Sequence, residues 1–166
     1  MIEIREEQLG DIAAIREVNQ RAFGQDQEGN IVDALRANGA ALLSLVAALD
    51  DQVVGHIMYS PLLVGEVAAA ALGPMAVLPE HQRQGIGSKL VEVGNRKLKE
   101  SGCPFIIVVG HVNFYPRFGF KPASTCGITC EWEMPDDVFM VLALDHAKMP
   151  GVSGLAKYRP EFSTVS

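Results

Sequence analysis

Apolar and polar residues alternate from Ile2 to Arg5, the period of a strand that buries one face. After Asp11 the period lengthens: Ile12, Ile15, Val18 and Ala22 fall on one side of a helix that Asp11 is placed to cap. Gly24 to Asn30 lacks apolar residues and reads as a loop, with Asn30 capping a second helix through Asn38 that carries Ile31, Ala34 and Leu35. Ala41 to Leu49 and Gln52 to Ser60 flank Asp50-Asp51 as two antiparallel strands about a tight turn. The alanines and leucines of the first would suit a helix equally well. Pro61 to Gly65 reads as another turn. Glu66 to Val77 then forms a long central strand, whose alanine run Ala68 to Ala71 has low strand propensity and depends on packing.

The apolar run ends at Pro79, and a turn from Gln82 to Gly87 follows it. Beyond the turn, Leu90, Val91, Val93 and Leu98 sit among Lys89, Glu92, Arg96, Lys97 and Lys99, an amphipathic helix that stops at Ser101-Gly102. Phe105 to Val109 is unbroken apolar sequence, the mark of a strand covered on both faces. Strand, helix and strand together predict a right-handed parallel unit. Asn113 to Phe118 reads as a short helix, Phe120 to Ser124 as a turn or strand start, and Val138 to Leu144 as a last buried strand. The tail from His146 to Ser166, punctuated by proline and glycine, is expected to pack through Tyr158 and Phe162. There is no internal repeat and no low-complexity segment.

At 166 residues the chain reads as one domain, with 48% hydrophobic and 20% charged residues, a globular composition. A net charge of -6 argues against a nucleic-acid surface and weakly favours a cationic substrate. Glu3, Glu6 and Glu7 stand where a secretory signal would be basic, and the uncharged stretches fall short of the roughly 20 apolar residues that span a bilayer. A cytoplasmic protein without membrane partners is expected. Cys103, Cys126 and Cys130 cannot all pair within one chain, and Cys126-x3-Cys130 lacks a second ligand pair for zinc, so they read as reduced structural thiols with no metal.

The chemistry concentrates in the turn. Gly85 and Gly87 open backbone angles closed to other residues, so successive amide N–H groups can converge on an anion. The helix that follows adds unpaired donors and a positive dipole end. A pyrophosphate suits such a construction, and Arg83 adds positive charge. Leu90 stands where a dinucleotide fingerprint would place a third small residue, which disfavours a Rossmann site. The chain also lacks a Gly-x4-Gly-Lys-Ser/Thr phosphate loop and a His-Glu-x-x-His helix.

Gln82-Arg83-Gln84-Gly85-Ile86-Gly87, preceded by Leu72 to Pro79, resembles the acyl-CoA-binding signature Gln/Arg-x-x-Gly-x-Gly/Ala of the GNAT superfamily of N-acetyltransferases. Gly110 to Phe120, with its Tyr115-Pro116-Arg117-Phe118-Gly119-Phe120 segment, matches downstream at the family's usual distance. That segment and the ending Gly154 to Phe162 look like the YhbS-like group, so the resemblance covers nearly the whole chain. It implies an α/β (α+β) GNAT fold: a mixed, mostly antiparallel sheet of six to seven strands with splayed central strands and about four helices. The implied co-substrate is acetyl-CoA, and the implied acceptor a small-molecule or peptide amine, with the protein a monomer or homodimer.

By the same resemblance the amide-rich arm of acetyl-CoA bonds to Met75, Ala76 and Val77 as a pseudo-strand, while Gln82, Arg83, Gln84, Gly85, Ile86, Gly87 and Ser88 hold its pyrophosphate. Asn113 and Phe118 are further cofactor contacts, although Val112-Asn113 stands where related chains commonly carry Pro-Glu. Tyr115 matches the family tyrosine that protonates the departing thiolate, and a backbone amide near Ala76 or Val77 stabilises the oxyanion. No base for the amine announces itself. Glu66, His56, His81 and His111 are candidates beside solvent water, Asp26 and Glu28 are candidates to attract the amine, and Arg83, Lys89, Arg117 and Lys121 to steer phosphates. The alternative functions are a domain that binds acyl-CoA as a sensor or subunit without turnover, and an interaction protein without a cofactor.

Overall fold

The computed structural model describes residues 1–165; Ser166 of the expected tail lies outside the described residues. The first half runs β1 (Ile2–Glu6), α1 (Ile12–Phe23), α2 (Gln27–Ala37), β2 (Leu43–Leu49), β3 (Gln52–Val64) and β4 (Val67–Val77). The second runs α3 (Ile86–Glu100), β5 (Phe105–Val109), β6 (Lys121–Pro122), β7 (Ile128–Cys130), β8 (Phe139–Ala143) and β9 (Gly154–Lys157). The sheet follows the order β1-β2-β3-β4-β5-β8-β6, a path of seven strands, while β9 pairs with β3 and with β7 beside it. All pairs are antiparallel except β4 with β5 and β7 with β9. Among the described residues no helix is long and apolar enough to cross a membrane.

One break in this sheet positions everything that follows. β4 pairs with β5 only at Ala70, Ala71 and Leu72, opposite Ile106, Ile107 and Val108. Its other edge stays paired with β3 as far as Val77, where Gly55, His56 and Ile57 face Val77, Ala76 and Met75. Between these stretches lie Gly73, at a φ of 143, and Pro74, which has no N–H to give, and the β3 register shifts between Ile57 and Tyr59. The ladder with β5 therefore cannot continue. The two strands splay, as the resemblance implied, and the β5-facing backbone of Met75 to Val77 has no strand beside it.

The alanines of β4 do what packing asks of them. Ala70 and Ala71 are fully buried, and larger side chains from both faces close over them, including Leu90 and Val91 of α3 on one side and Phe105 and Ile107 of β5 on the other. Close approach is needed where α3 crosses β3. A Cβ at Gly94 would overlap the ring of Tyr59, whose hydroxyl donates to Asn95 Oδ1 at 2.8 Å. A second device is polar. Arg36 donates twice to Glu7 at 2.7 and 2.8 Å, Ser44 Oγ lies 2.6 Å from Glu7 and 2.9 Å from His56 Nε2, and Asn19 approaches the other His56 ring nitrogen at 3.4 Å. This chain of contacts ties α1, α2, β2 and β3 together beneath the sheet.

Several boundaries differ from the sequence reading. The segment expected to be a loop up to Asn30 is helical from Gln27. Gly24, at a φ of 70, ends α1 and Asp26 restarts the chain as α2, whose first turn shows polar residues to water and so carries no apolar period. Asn30 is not a cap; its side chain accepts from Arg16 at 2.8 Å. Asp11 does not cap α1 by a hydrogen bond, because its carboxylate is taken by Arg5 and by the backbone N–H of Gln8. Pro61 does not turn the chain: β2 ends its pairing opposite Tyr59 and β9 begins only at Leu63, so Pro61 sits where β3 has a neighbour on one side and a missing donor is tolerated. The expected helix at Asn113 to Phe118 is a 3-10 turn over Tyr115–Phe118. The expected last strand, β8, is followed by β9, which adds to β3 and on its other edge takes the three-residue β7.

Candidate functional site

The fork between β4 and β5 opens into a cavity of about 1180 Å³. Met75, Ala76 and Val77 form one wall, presenting the backbone that β5 has left behind. Buried N–H and C=O groups need partners, and an extended chain of amides laid beside β4 would supply them.

At the end of β4 the chain is pinned before it turns. Leu78 N–H donates to Val54 O at 2.9 Å, and the Gln82 side chain reaches back to the Val77 carbonyl at 2.9 Å. Arg21 of α1 holds Glu80 at 2.8 Å. The turn itself places Arg83 at a φ of 63 and Gly85 at 83 before α3 begins at Ile86. A left-handed residue followed shortly by another aims neighbouring amides toward one point, and the first N–H groups of a 15-residue helix join them. Gln82, Arg83, Gly85, Ile86, Gly87 and Ser88 all line the cavity, whereas Gln84 does not and is exposed. A Cβ at Gly87 would lie 3.4 Å from Met75 Cε and 3.7 Å from the Phe114 ring, ordinary van der Waals contact, so the protein atoms around it do not themselves require glycine. Arg83 and Arg117 give this part of the cavity a cationic lining, beside the rings of His81 and His111, while Lys89 and Lys121 lie off it. No group of three or more potential metal-ligating His, Cys, Asp or Glu side chains gathers among the described residues.

Tyr115 reaches the same cavity from the segment after β5. Its ring is buried edge-on between Phe114, with centroids 4.9 Å apart, and Phe120, 5.7 Å away. Gly110 is what admits it: a Cβ there would lie 2.6 Å from Tyr115 Cδ2 and closer still to Cε2. Burial pushes the phenol up to about 12, so at neutral pH it is a proton donor. Asn113 lines the cavity too. Phe118 does not, and instead packs on Phe114 at 5.1 Å, a ring that also carries Arg117 4.8 Å above it.

Of the candidate bases, His81 and His111 line the cavity. His56 is fully buried in the polar chain beneath the sheet, which lowers its pKa to about 4, and Glu66 lies in the β3–β4 turn, off the cavity. Glu28 is brought to the cavity, and Asp26 is not; it accepts from Gln20 at 2.6 Å.

Sequence reading missed the remaining wall, formed by Ala22, Phe23 and Ile31 of α1 and α2 with Trp132, Met134, Tyr158 and Phe162. Tyr158 joins Trp132 and Phe162 in a row of rings, at 5.2 and 5.3 Å. The tail carrying two of these rings is held to α2 by Asn38 Nδ2 donating to Glu161 at 2.8 Å. The sole tryptophan and the four-residue spacing of Tyr158 and Phe162 were the only sequence signals.

Residues 41–122 match the family model described as the acetyltransferase (GNAT) domain. The chain is 34% identical to the uncharacterized N-acetyltransferase YhbS of Escherichia coli K12, over 92% of this chain and 93% of that protein. It is 37% identical to the uncharacterized N-acetyltransferase YjhQ of the same organism, over 76% of this chain and 74% of the relative. The crystal structure of Escherichia coli YhbS in complex with CoA superposes with a TM-score of 0.94 at 33% identity, covering 98% of this chain and 92% of the other. A GNAT family acetyltransferase from Brucella melitensis in complex with acetyl-CoA gives 0.83 at 38% identity, with 98% of each chain covered.

Proposed function

Because the chain belongs to the GNAT family of N-acetyltransferases, we propose that it transfers an acetyl group from acetyl-CoA to a primary amine by direct attack, with Tyr115 as general acid. The observation that carries this reading is the conjunction of the strand fork with the turn. Backbone of Met75 to Val77, with no strand on its β5 side and only the Val77 carbonyl held by Gln82, runs toward the turn at Gly85, and a buried phenol lines the same cavity. Two relatives of high structural similarity were crystallised with CoA or acetyl-CoA, and the residues present here fit such a ligand. Amides of its arm match the unpaired edge of β4, its pyrophosphate matches the turn and the start of α3, and Arg83 and Arg117 supply opposite charge.

The chemistry follows from that placement. The amine nitrogen, having lost a proton to solvent, bonds to the thioester carbonyl carbon. Negative charge develops on the carbonyl oxygen, where a backbone N–H near Ala76 or Val77 stabilises it by about 3 to 4 kcal/mol. The C–S bond then breaks, the Tyr115 proton passes to sulfur, and the second proton, shed by the attacking nitrogen as it becomes an amide, returns through solvent to the phenolate. A phenol raised to about 12 is a weaker acid than a free one. It gives up its proton only as sulfur gains charge, and the same burial that weakens the phenol makes a departing thiolate more basic.

Incubation with acetyl-CoA and a panel of amines should release free CoA. Tyr115→Phe should lower kcat by about 10²-fold or more while the KM for acetyl-CoA stays in place. Full rate in that variant overturns the acid assignment, and failure to bind acetyl-CoA overturns the reading as a whole.

A further inference from the structure

The cavity carries two linings of opposite character. Its cations, Arg83 and Arg117, come from the turn before α3 and from the 3-10 turn that carries Tyr115. Its one carboxylate among the described residues is Glu28, on the first turn of α2. Glu28 accepts from the neutral Gln25 side chain at 3.1 Å and has no cationic partner among the described residues, so its charge faces the cavity uncompensated.

The surfaces around it are apolar and ringed. Phe23 is 40% exposed and Trp132 39%, large rings that line the cavity while keeping part of their surface open. Tyr158 and Phe162 continue the row from Trp132, and the Tyr158 hydroxyl, shut away from solvent, has no hydrogen-bond partner among the described residues. A flexible polycation would find one carboxylate and a wall that strips its remaining charges of water. A ring-sized apolar group finds faces to stack on, and its ammonium finds Glu28.

We propose that Glu28, Phe23, Trp132, Tyr158 and Phe162 form the acceptor compartment, and that it selects a small primary amine on a ring-sized apolar body over polyamines, lysine peptides and aminoglycosides. This rests on the acetyl-CoA reading of the other lining. Glu28 draws the amine in as its ammonium, and the rings hold the body while the nitrogen, once deprotonated by solvent, meets the thioester.

Two measurements separate the claims. In the CoA-release assay, 2-phenylethylamine should show a kcat/KM at least about tenfold above spermidine, a lysine peptide or an aminoglycoside. Glu28→Gln should raise the KM for 2-phenylethylamine by about tenfold with the KM for acetyl-CoA unmoved, and Trp132→Ala should erode the preference for 2-phenylethylamine over ethylamine. Calorimetric titration of 2-phenylethylamine into the CoA-saturated protein should show binding that Glu28→Gln weakens. If no amine is acetylated yet that binding and its loss are seen, the transferase reading fails and the compartment stands. If spermidine or the peptide is preferred, if Glu28→Gln leaves the amine KM unchanged, or if 2-phenylethylamine neither binds nor reacts, the compartment is overturned.

Discussion

Gly110→Ala tests the site through a single methyl group. Gly110 does not have a left-handed φ, so alanine is tolerated by its backbone and the effect is steric. The new Cβ would stand 2.6 Å from Tyr115 Cδ2, against an ordinary carbon–carbon separation of about 3.5 to 4.0 Å. The ring must retreat by about 1 Å. It cannot do so freely, since Phe114 and Phe120 bracket it with centroids at 4.9 and 5.7 Å. Overpacking of this kind costs about 1 to 3 kcal/mol of stability, and a 1 Å displacement of a reacting group costs about 10²-fold in rate. The assay is kcat for CoA release, with the melting temperature and CoA affinity measured alongside. A fall in kcat comparable to that of Tyr115→Phe, with CoA affinity kept and the double variant no worse than Tyr115→Phe alone, is the expected pattern. Full kcat in a folded Gly110→Ala protein would refute the placement of the phenol at the reaction centre.

Two further outcomes follow from the scaffold. His56 is fully buried and its pKa is lowered to about 4 by burial, with attraction to Glu7 opposing that shift and Arg36 adding to it. Above about pH 6.5 both folded and unfolded chains keep it neutral, but below that only the unfolded chain takes the proton, so stability falls between pH 6.5 and 4. From pH 7 to 5 the loss is about 2 kcal/mol. Urea unfolding at the two values should show it, and His56→Gln should remove that slope; an equal slope in both proteins rejects the assignment. Asn38→Ala removes the 2.8 Å bond to Glu161 that holds the tail bearing Tyr158 and Phe162. It should raise the KM of the preferred amine about fivefold, from roughly 1 kcal/mol of lost positioning, without moving that of acetyl-CoA; a shift in acetyl-CoA KM instead would show that the tail serves the other lining.

The half of the site built on backbone was readable before any coordinates. Gly85 and Gly87 beside an amphipathic helix announce a turn by residue type alone, and the turn stands where the spacing put it, although α3 already begins at Ile86, so that only Gly85 takes a left-handed angle and Gly87 is helical. The strand fork was legible only through the resemblance, because Gly73-Pro74 breaks a ladder without breaking the apolar run around it. The half built on side chains was mostly unreadable. Glu28 was read as a loop carboxylate, since the first turn of α2 is polar on every side and hides its period. Trp132 follows β7, a strand of only three residues that forms by pairing with β9 from a remote part of the chain. Nothing local in either segment predicts that meeting. His56, by contrast, looked like a site residue by type, and its fate was decided by Ser44 and Asn19, which are 12 and 37 residues away in sequence.

The division between the two linings has a consequence for how chains of this kind differ. A ligand arm paired to β4 asks for a free backbone edge, which many side chains can frame, so that lining tolerates substitution wherever the fork and the turn survive. The exception is Arg83, a non-glycine residue at a φ of 63, where the left-handed conformation costs about 1 kcal/mol. Glycine would avoid that cost and leave the amides as convergent as before. An arginine there is consistent with use of its charge, which faces the same cavity as the amides. The other lining has no such latitude. It draws Phe23 and Glu28 from two helices, Trp132 from the segment after β7, and Tyr158 and Phe162 from the tail. Each of these segments can change without disturbing the fork, so a shared fork does not by itself fix a shared acceptor.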